Sequence, residues 1–261
     1  MSVDGRPCVL VFAGLDPSGG AGLTADVQAV AAQGAHALVV ATALTVQDND
    51  RVYAVEPVDS DLVRRQAWAL IDKVVISAVK VGITGSAANA LAIAEVIGRL
   101  RERQADLPVV LDPVLASGHG DLLSRDDAAQ ALAPLLSLAT VITPNGPEAQ
   151  ALTGAAQPAA QAQALHARGC RHVLITGGHG EGDDVINRWF SARGLADGRE
   201  WRWGRLAEEF HGSGCTLASA IAGLLARGLP IADALENAQQ YVHHALRDAY
   251  AIAPGQRIPL R

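Results

Sequence analysis

A series of apolar runs, each closed by glycine, aspartate or a polar turn and each followed by residues at helical spacing, restricts this chain to a layered α/β fold. The runs Cys8–Gly14, Ala35–Val46, Ala78–Ile83, Leu107–Leu115, Thr140–Thr143 and His172–Thr176 are too continuously apolar to have a solvent face. They read as strands of a parallel sheet covered on both sides. Helical patterns occupy the stretch after the glycine-rich loop to about Gly34, Asp59–Asp72, Ser86–Arg103 with Ser86 as cap, Asp126–Leu136, a segment with Glu148 in its first turn, Pro158–Gly169, the run from Leu217, and Ile231–Tyr250. Asp184–Trp203 alternates less cleanly and is expected to hold two or three strands of an antiparallel edge. Ala116–Leu123 reads as a loop and Ala253–Arg261 as a loose tail. Without an internal repeat, low-complexity run or linker, residues 1–261 are expected to form a single domain. Its fold class is α/β, a central mainly parallel sheet flanked by helices on both faces, with ligands bound beyond the carboxyl ends of the strands.

Composition narrows the partners. A formal net charge of -6 gives no general attraction to nucleic acid or acidic lipid, so any phosphate must be held by a local site. Trp189, Trp201 and Trp203 have no basic cluster beside them and read as packing rather than a base-stacking platform. Cys8, Cys170 and Cys215 are far apart and lack metal-ligand spacing, which suggests free thiols in a reducing compartment. The N-terminal apolar run is too short for a signal-peptide core or membrane span, so a cytoplasmic location without a membrane partner is expected.

Two glycine-rich stretches carry the chemistry. HGSGCT at His211–Thr216 runs into a helix whose apolar face is Leu217, Ile221, Leu224 and Leu225. Free N–H groups of Gly212, Ser213, Gly214 and Cys215 at that helix start favour a phosphate, and glycine permits its close approach. The same field favours a thiolate at Cys215, while burial opposes it. GLDPSGGAGLTAD at Gly14–Asp26 follows the first strand, but Pro17 interrupts it and no GxGxxG spacing passes through its glycines, so a dinucleotide site is set aside. Asp26 can accept N–H or O–H bonds, and Gln47 can read a heterocycle with a paired donor and acceptor. Asp112 ends a strand, and Glu148 lies in the first turn of a helix, where a carboxylate suits the dipole or can hold hydrated Mg²⁺.

Taken together, Gly14–Asp26, Gln47, Asp112-Pro-Val, Thr143-Pro-Asn145-x-x-Glu148, Gly177-Gly178-His179 and His211–Thr216 resemble the hydroxymethylpyrimidine and phosphomethylpyrimidine kinases of thiamine biosynthesis, within the ribokinase superfamily. The resemblance covers nearly the whole chain in order. It implies a ribokinase-like sheet, Mg²⁺ and ATP, and 4-amino-5-hydroxymethyl-2-methylpyrimidine as acceptor, phosphorylated once and then again as its monophosphate. By the same match Cys215 activates the attacking oxygen, amides of Gly212, Ser213, Gly214 and Cys215 hold the transferred phosphoryl group, and Gly14, Asp26, Gln47 and Ile83 meet the pyrimidine. Asn145, Thr176 and Gly178 lie on the nucleotide side, Asp112 and Glu148 hold Mg²⁺, and a homodimer is expected. The chain departs from the pattern at Thr176, where many members have lysine, at Ile83, where methionine is usual, and at Glu208-Glu209-Phe210. A pyridoxal kinase of the same superfamily, or a pyrimidine-binding protein without turnover, are the competing readings.

Overall fold

The computed structural model describes residues 5–115, 128–180, 182–192 and 198–261. Its strands are β1 (Cys8–Leu15), β2 (His36–Gln47), β3 (Val52–Pro57), β4 (Ile76–Val81), β5 (Val109–Leu111), β6 (Val141–Ile142), β7 (His172–Ile175), β8 (Asp184–Ser191) and β9 (Arg199–Gly204). The helices are α1 (Gly22–Ala32), α2 (Ser60–Ile71), α3 (Ala87–Arg103), the short α4 (Ala128–Ala131) and α5 (Ala133–Leu136), α6 (Gly146–Thr153), α7 (Pro158–Ala167), α8 (Ser213–Ala226) and α9 (Ile231–Arg247). The strands form one sheet of order β3-β2-β1-β4-β5-β6-β7-β8-β9. The pairs from β2 to β7 are parallel, whereas β3, β8 and β9 join antiparallel at the margins.

Alternate residues of a strand face opposite sides, and both sides are covered here. Leu10 and Phe12 of β1 enter one core with α2, α3, α5, α6 and α7. Val9, Val11 and Ala13 enter the other, with α1, α8 and α9. The expected two-layered covering of a mainly parallel sheet is therefore present, and Asp184–Trp203 supplies the expected antiparallel edge.

Local chemistry sets the helix ends. The Asp59 carboxylate accepts from the backbone N–H groups of Asp61 and Leu62 at the start of α2, and Ser86 Oγ accepts from Asn89 N at the start of α3. Asn145 and Glu148 form a reciprocal capping box on α6, which ends at Gly154 in the left-handed conformation with φ 73°.

Three expectations change. Val52–Pro57, left unassigned in the sequence, is strand β3: residues 48–51 make a tight turn in which Asp48 Oδ1 accepts from the N–H groups of Asp50 and Arg51. The tail is not loose. Residues 250–261 return across the carboxyl end of the sheet, with bridges Phe210–Arg257 and Tyr250–Ile258, and Ile258 is buried. An apolar isoleucine and an arginine with carbonyls to meet hold a segment that its proline and glycine made look unstructured. The loop assigned to Ala116–Leu123 and the helix start at Asp126 lie outside the described residues, and the remainder of that helix is divided into α4 and α5.

Asn89, fully buried on α3, fastens the loop after β4 to β2. Its Nδ2 donates to the carbonyls of Thr42, Val58 and Thr84 at 2.9, 3.1 and 3.0 Å, respectively. Thr42 Oγ1 in turn donates to the Ile83 carbonyl, so the loop after β4 is tied to β2. Asn89→Ala, which leaves buried carbonyls unsatisfied, is expected to lower unfolding free energy by about 3 kcal/mol. Urea denaturation checks this; a loss below about 1 kcal/mol would show that water replaces the amide without cost.

Candidate active site

Every parallel strand delivers its carboxyl end to one edge of the sheet. The chain reverses its direction of strand addition between β1, whose neighbours are β2 and β4, and the later strands, so a crevice opens where the loops after β1 and β4 diverge. A cavity of about 1040 Å³ occupies this position. Gly14, Gln47, Ile83, Asp112, Asn145, Glu148, Thr176, Gly178, Gly212, Ser213, Gly214 and Cys215 all line it. The sequence-predicted residues thus converge, with one exception described below.

The two glycine loops interlock over one side of the cavity. Gly212 adopts φ 80° as the N-cap of α8, and a Cβ there would lie 2.0 Å from the carbonyl oxygen of Gly20. A Cβ on Gly20 would lie 2.2 Å from His211 Cδ2. Neither position has room for a side chain, which is why both loops are built of glycine. Asp16 joins them: Oδ2 accepts from Ala21 N at 2.7 Å and from His211 Nε2 at 2.8 Å, while Oδ1 accepts from Ser18 N at 2.7 Å. Burial alone would raise the Asp16 carboxyl, but the bonds from His211, Ser18 and Ala21 outweigh it and hold it below its usual range. The first amides of α8, at Ser213, Gly214 and Cys215, precede the first residue that can bond within the helix and face the anion-attracting end of its dipole.

The cavity floor is charged. Lys80, on the otherwise apolar strand β4, is fully buried, and its Nζ donates to Asp26 Oδ1 and Oδ2 at 2.9 and 2.8 Å. Ser219 Oγ of α8 donates to Asp26 Oδ1 at 2.6 Å. Burial works against the Lys80 charge, yet the negative charge of Asp26 and the bonds it accepts hold the amine above its ordinary range. Asp26 is the exception among the predicted contacts. It has 0% exposure and its oxygens are taken by Lys80 and Ser219, so it lies below the cavity wall and not on it. Its helix turns it toward the sheet, where a buried carboxylate needs the cation that β4 supplies.

Cys215 sits half-buried at the start of α8. Desolvation pushes its thiol up to about 12, against the pull of Lys80 and an N–H bond from Gly22. Of the two opposing influences visible in the sequence, burial prevails over the helix start. Asp112 is pushed up to about 6 by burial, with Lys80 and the Cys215 thiol opposing. Its Oδ2 is buried with no hydrogen-bond partner, and a Cβ on Gly214 would be 3.8 Å from both carboxylate oxygens. Glu148 is pushed up to about 8, first by burial and then by the charge of Asp112, although the N–H groups of Asn145 and Leu115 reach it. Two desolvated carboxylates, one with an unmet acceptor, suit a hard cation that takes few protein ligands and keeps several waters. Among the described residues no group of three or more His, Cys, Asp or Glu side chains is gathered as a metal cage.

On the opposite wall, Thr176 ends β7 and donates its N–H to Pro144, bridging to Asn145. Beside it Arg205 donates to the carbonyls of Gly178, Gly180 and Gly182 at 2.8, 2.8 and 2.7 Å. A guanidinium thus shares the wall on which Thr176 stands in place of a lysine. Glu208, an unexplained acid in the sequence, is paired with Arg257 Nη1 at 2.8 Å. Gly14 needs its missing side chain because a Cβ would meet Ile83 Cγ2 at 3.0 Å. Sequence reasoning missed Asp16, Lys80, Arg205 and Arg261. Only Lys80 gave a signal, as a lone charge within Ala78–Ile83.

This geometry has relatives. A family model described as phosphomethylpyrimidine kinase matches residues 16–259. The hydroxymethylpyrimidine/phosphomethylpyrimidine kinase of Rhizobium meliloti (strain 1021) is 37% identical over 255 residues, spanning 95% of this chain and 93% of that protein. The thiamine biosynthesis bifunctional protein ThiED of Geobacter sulfurreducens is also 37% identical, over 96% of this chain and 51% of its own length. Among solved structures, an ADP complex of Bacillus subtilis pyridoxal kinase superposes with a TM-score of 0.86 at 26% identity, covering 97% of both chains. Phosphomethylpyrimidine kinase from Clostridium difficile 630 gives 0.76 at 30% identity over 91% of this chain and 98% of that one. A family match running from the first glycine loop into the returning tail, with relatives alike along nearly the whole length, establishes that the chain belongs to the hydroxymethylpyrimidine/phosphomethylpyrimidine kinase family of phosphotransferases.

Proposed function

We propose that the protein transfers the terminal phosphoryl group of ATP to the hydroxymethyl oxygen of 4-amino-5-hydroxymethyl-2-methylpyrimidine, and a second group to the resulting monophosphate, in thiamine biosynthesis. The observation that carries this reading is the meeting, in one cavity, of a glycine-walled pocket bearing Gln47 with a helix start whose open amides stand beside Cys215. Gln47 reads the aminopyrimidine edge, and Gly14 and Ile83 form its apolar slot. Asn145, Thr176 and Gly178 flank the nucleotide phosphates, and Arg205, held by the carbonyls of Gly178, Gly180 and Gly182, adds a positive field to that wall.

In the transfer step the hydroxymethyl oxygen bonds to the terminal phosphorus, the bridging P–O bond breaks, and ADP leaves. Charge gathers on the transferred group, where the amides of Gly212, Ser213, Gly214 and Cys215 oppose it without reorganising. The hydroxyl proton goes to Cys215. Because burial keeps the resting thiol protonated, the accepting form is a minor thiolate supported by Lys80 and the Gly22 N–H. Asp112 and Glu148 would hold Mg²⁺, which would supply positive charge against the phosphate groups. Asp26 serves by fixing Lys80.

A second reading, pyridoxal as acceptor, is favoured by the 0.86 superposition on a pyridoxal kinase. Pyridoxal also carries a hydroxymethyl group on a small nitrogen heterocycle. Exposed Leu15, Leu44, Val46 and Tyr53 near the β3 edge support a homodimer that covers them. The three free cysteines support a cytoplasmic location, and among the described residues no helix is long and apolar enough to cross a membrane.

A mass-spectrometric time course with Mg²⁺, ATP and the hydroxymethylpyrimidine is expected to show the monophosphate and then the diphosphate, with pyridoxal the poorer acceptor. Faster phosphorylation of pyridoxal would favour the second reading, and no transfer to either would overturn both. Cys215→Ala is expected to reduce kcat by about a hundredfold or more while the pyrimidine KM changes little, since the amides remain. A fall of less than about threefold in steady-state assays would remove the thiol from the proton path. Protons compete with the cation for Asp112, raised to about 6, and Glu148, raised to about 8. The Mg²⁺ concentration for half-maximal activity should therefore fall as pH rises from about 6 to 8, whereas a site whose carboxylates are already ionised would show no change across that range.

A further inference from the structure

The sequence offered no role for Arg261, yet its side chain reaches the two glycine loops at their closest approach. Nη2 donates to the carbonyl oxygens of Gly20 and Gly212, and Nε donates to Thr216 Oγ1 at 2.8 Å. Thr216 Oγ1 passes the contact on, donating to the Gly212 carbonyl at 2.7 Å. Nη1 reaches Gln28 Oε1 on α1 at 3.4 Å. A planar fork is suited to this task, because its donors diverge in one plane while an ammonium offers a single point.

The loops it joins belong to opposite halves of the reaction. Gly14–Gly22 walls the acceptor pocket, whereas Gly212–Cys215 presents amides to the transferred phosphoryl group. Pressed together, their carbonyls at Gly20 and Gly212 would place two like dipole ends on a shared boundary. The guanidinium neutralises that boundary from outside the cavity: Arg261 is absent from the cavity lining. No other cation donates to either carbonyl among the described contacts.

We infer that Arg261 is a positioning residue that fixes the distance between the acceptor loop and the amide cradle of α8, and so governs the transfer step without touching either substrate. The inference rests on the proposed phosphoryl transfer at this site, and the experiment separates the two. Arg261→Met keeps the apolar stem and removes the donors; Arg261→Lys keeps the charge and removes the fork.

In steady-state kinetics of the wild-type and variant full chains, the Met variant is expected to lose roughly tenfold to a hundredfold in kcat, as small misplacements of reacting groups do, with the KM for ATP and pyrimidine changed by less than about threefold. The Lys variant should lie between it and the wild type, and millimolar guanidinium should restore part of the Met variant's kcat. Hydrogen exchange followed by mass spectrometry should show peptides covering 16–24 and 211–217 opening together in the Met variant, with the β4 and β5 peptides unchanged. An inactive wild-type protein would overturn the function and leave the exchange result to judge the clasp. An active wild type with an equally active Met variant, or exchange unchanged in both peptides, would overturn the inference. If the Met variant loses the cooperative melt of the whole chain, Arg261→Lys decides: wild-type kcat and exchange in that variant would overturn the role of the fork.

Discussion

An ion pair sealed inside the protein holds the floor of the cavity together. Lys80 from the centre of the sheet, Asp26 from α1 and Ser219 from α8 meet where no water reaches them. Removing either charge would strand the other in a medium that does not solvate it, at a typical cost of about 3–5 kcal/mol. The pair therefore constrains α1 and α8 to approach β4 at one height, and α8 carries the amides and the thiol. It also fixes the electrostatics above it. Lys80 draws on Asp26 for its charge and lends part of its field to Cys215 and Asp112, which burial would otherwise drive further toward neutrality.

The site is thus built for charges that arrive with its substrates. Without them, two carboxylates and a thiol are held above their ordinary range by desolvation, and the cations nearby are already committed: Lys80 to Asp26, Arg205 to the carbonyls of Gly178–Gly182 and Arg257 to Glu208. In the proposed transfer a magnesium nucleotide would bring positive charge to the acids and negative charge to the amides of α8. Those amides need no rearrangement, since the interlocked glycine loops have already fixed them.

How much of this could be read from the sequence follows from the range of the interactions. The parallel strands were legible because burial on both faces leaves apolar runs unmistakable, and the residues at their carboxyl ends converge for the topological reason that all the parallel strands point one way. Gln47 and Asp112 were found on that ground, and Asn145 and Thr176 through the family resemblance. Which side of β1 meets which helix was not legible, since Val9 and Leu10 are equally apolar. Strand β3 was missed because its residues are half-exposed at an edge and present no continuous run. Asp26 was read as a ligand contact because an acid on a helix beside a glycine loop looks the same whether the helix turns it to the cavity or to the sheet. Its partner, 54 positions along, has no local signature. Arg261 was hidden for the same reason: prolines and glycines mark a tail as irregular in conformation, and irregular segments can still be tightly held.

The returning tail also sets an order of assembly. Asn49 Nδ2 donates to the Pro254 and Gln256 carbonyls, His211 N to the Arg257 carbonyl, and Arg261 to Gly20, a contact spanning 241 positions. Contacts so distant along the chain form late, after the local helices and neighbouring strands have spent their entropy. The described strands and the helices through α9 all precede this segment in the chain, and the crevice acquires its finished rim only when residues 250–261 fold back. Until then the polypeptide holds most of its core but not the alignment on which chemistry depends, so nascent chains are structured before they are competent.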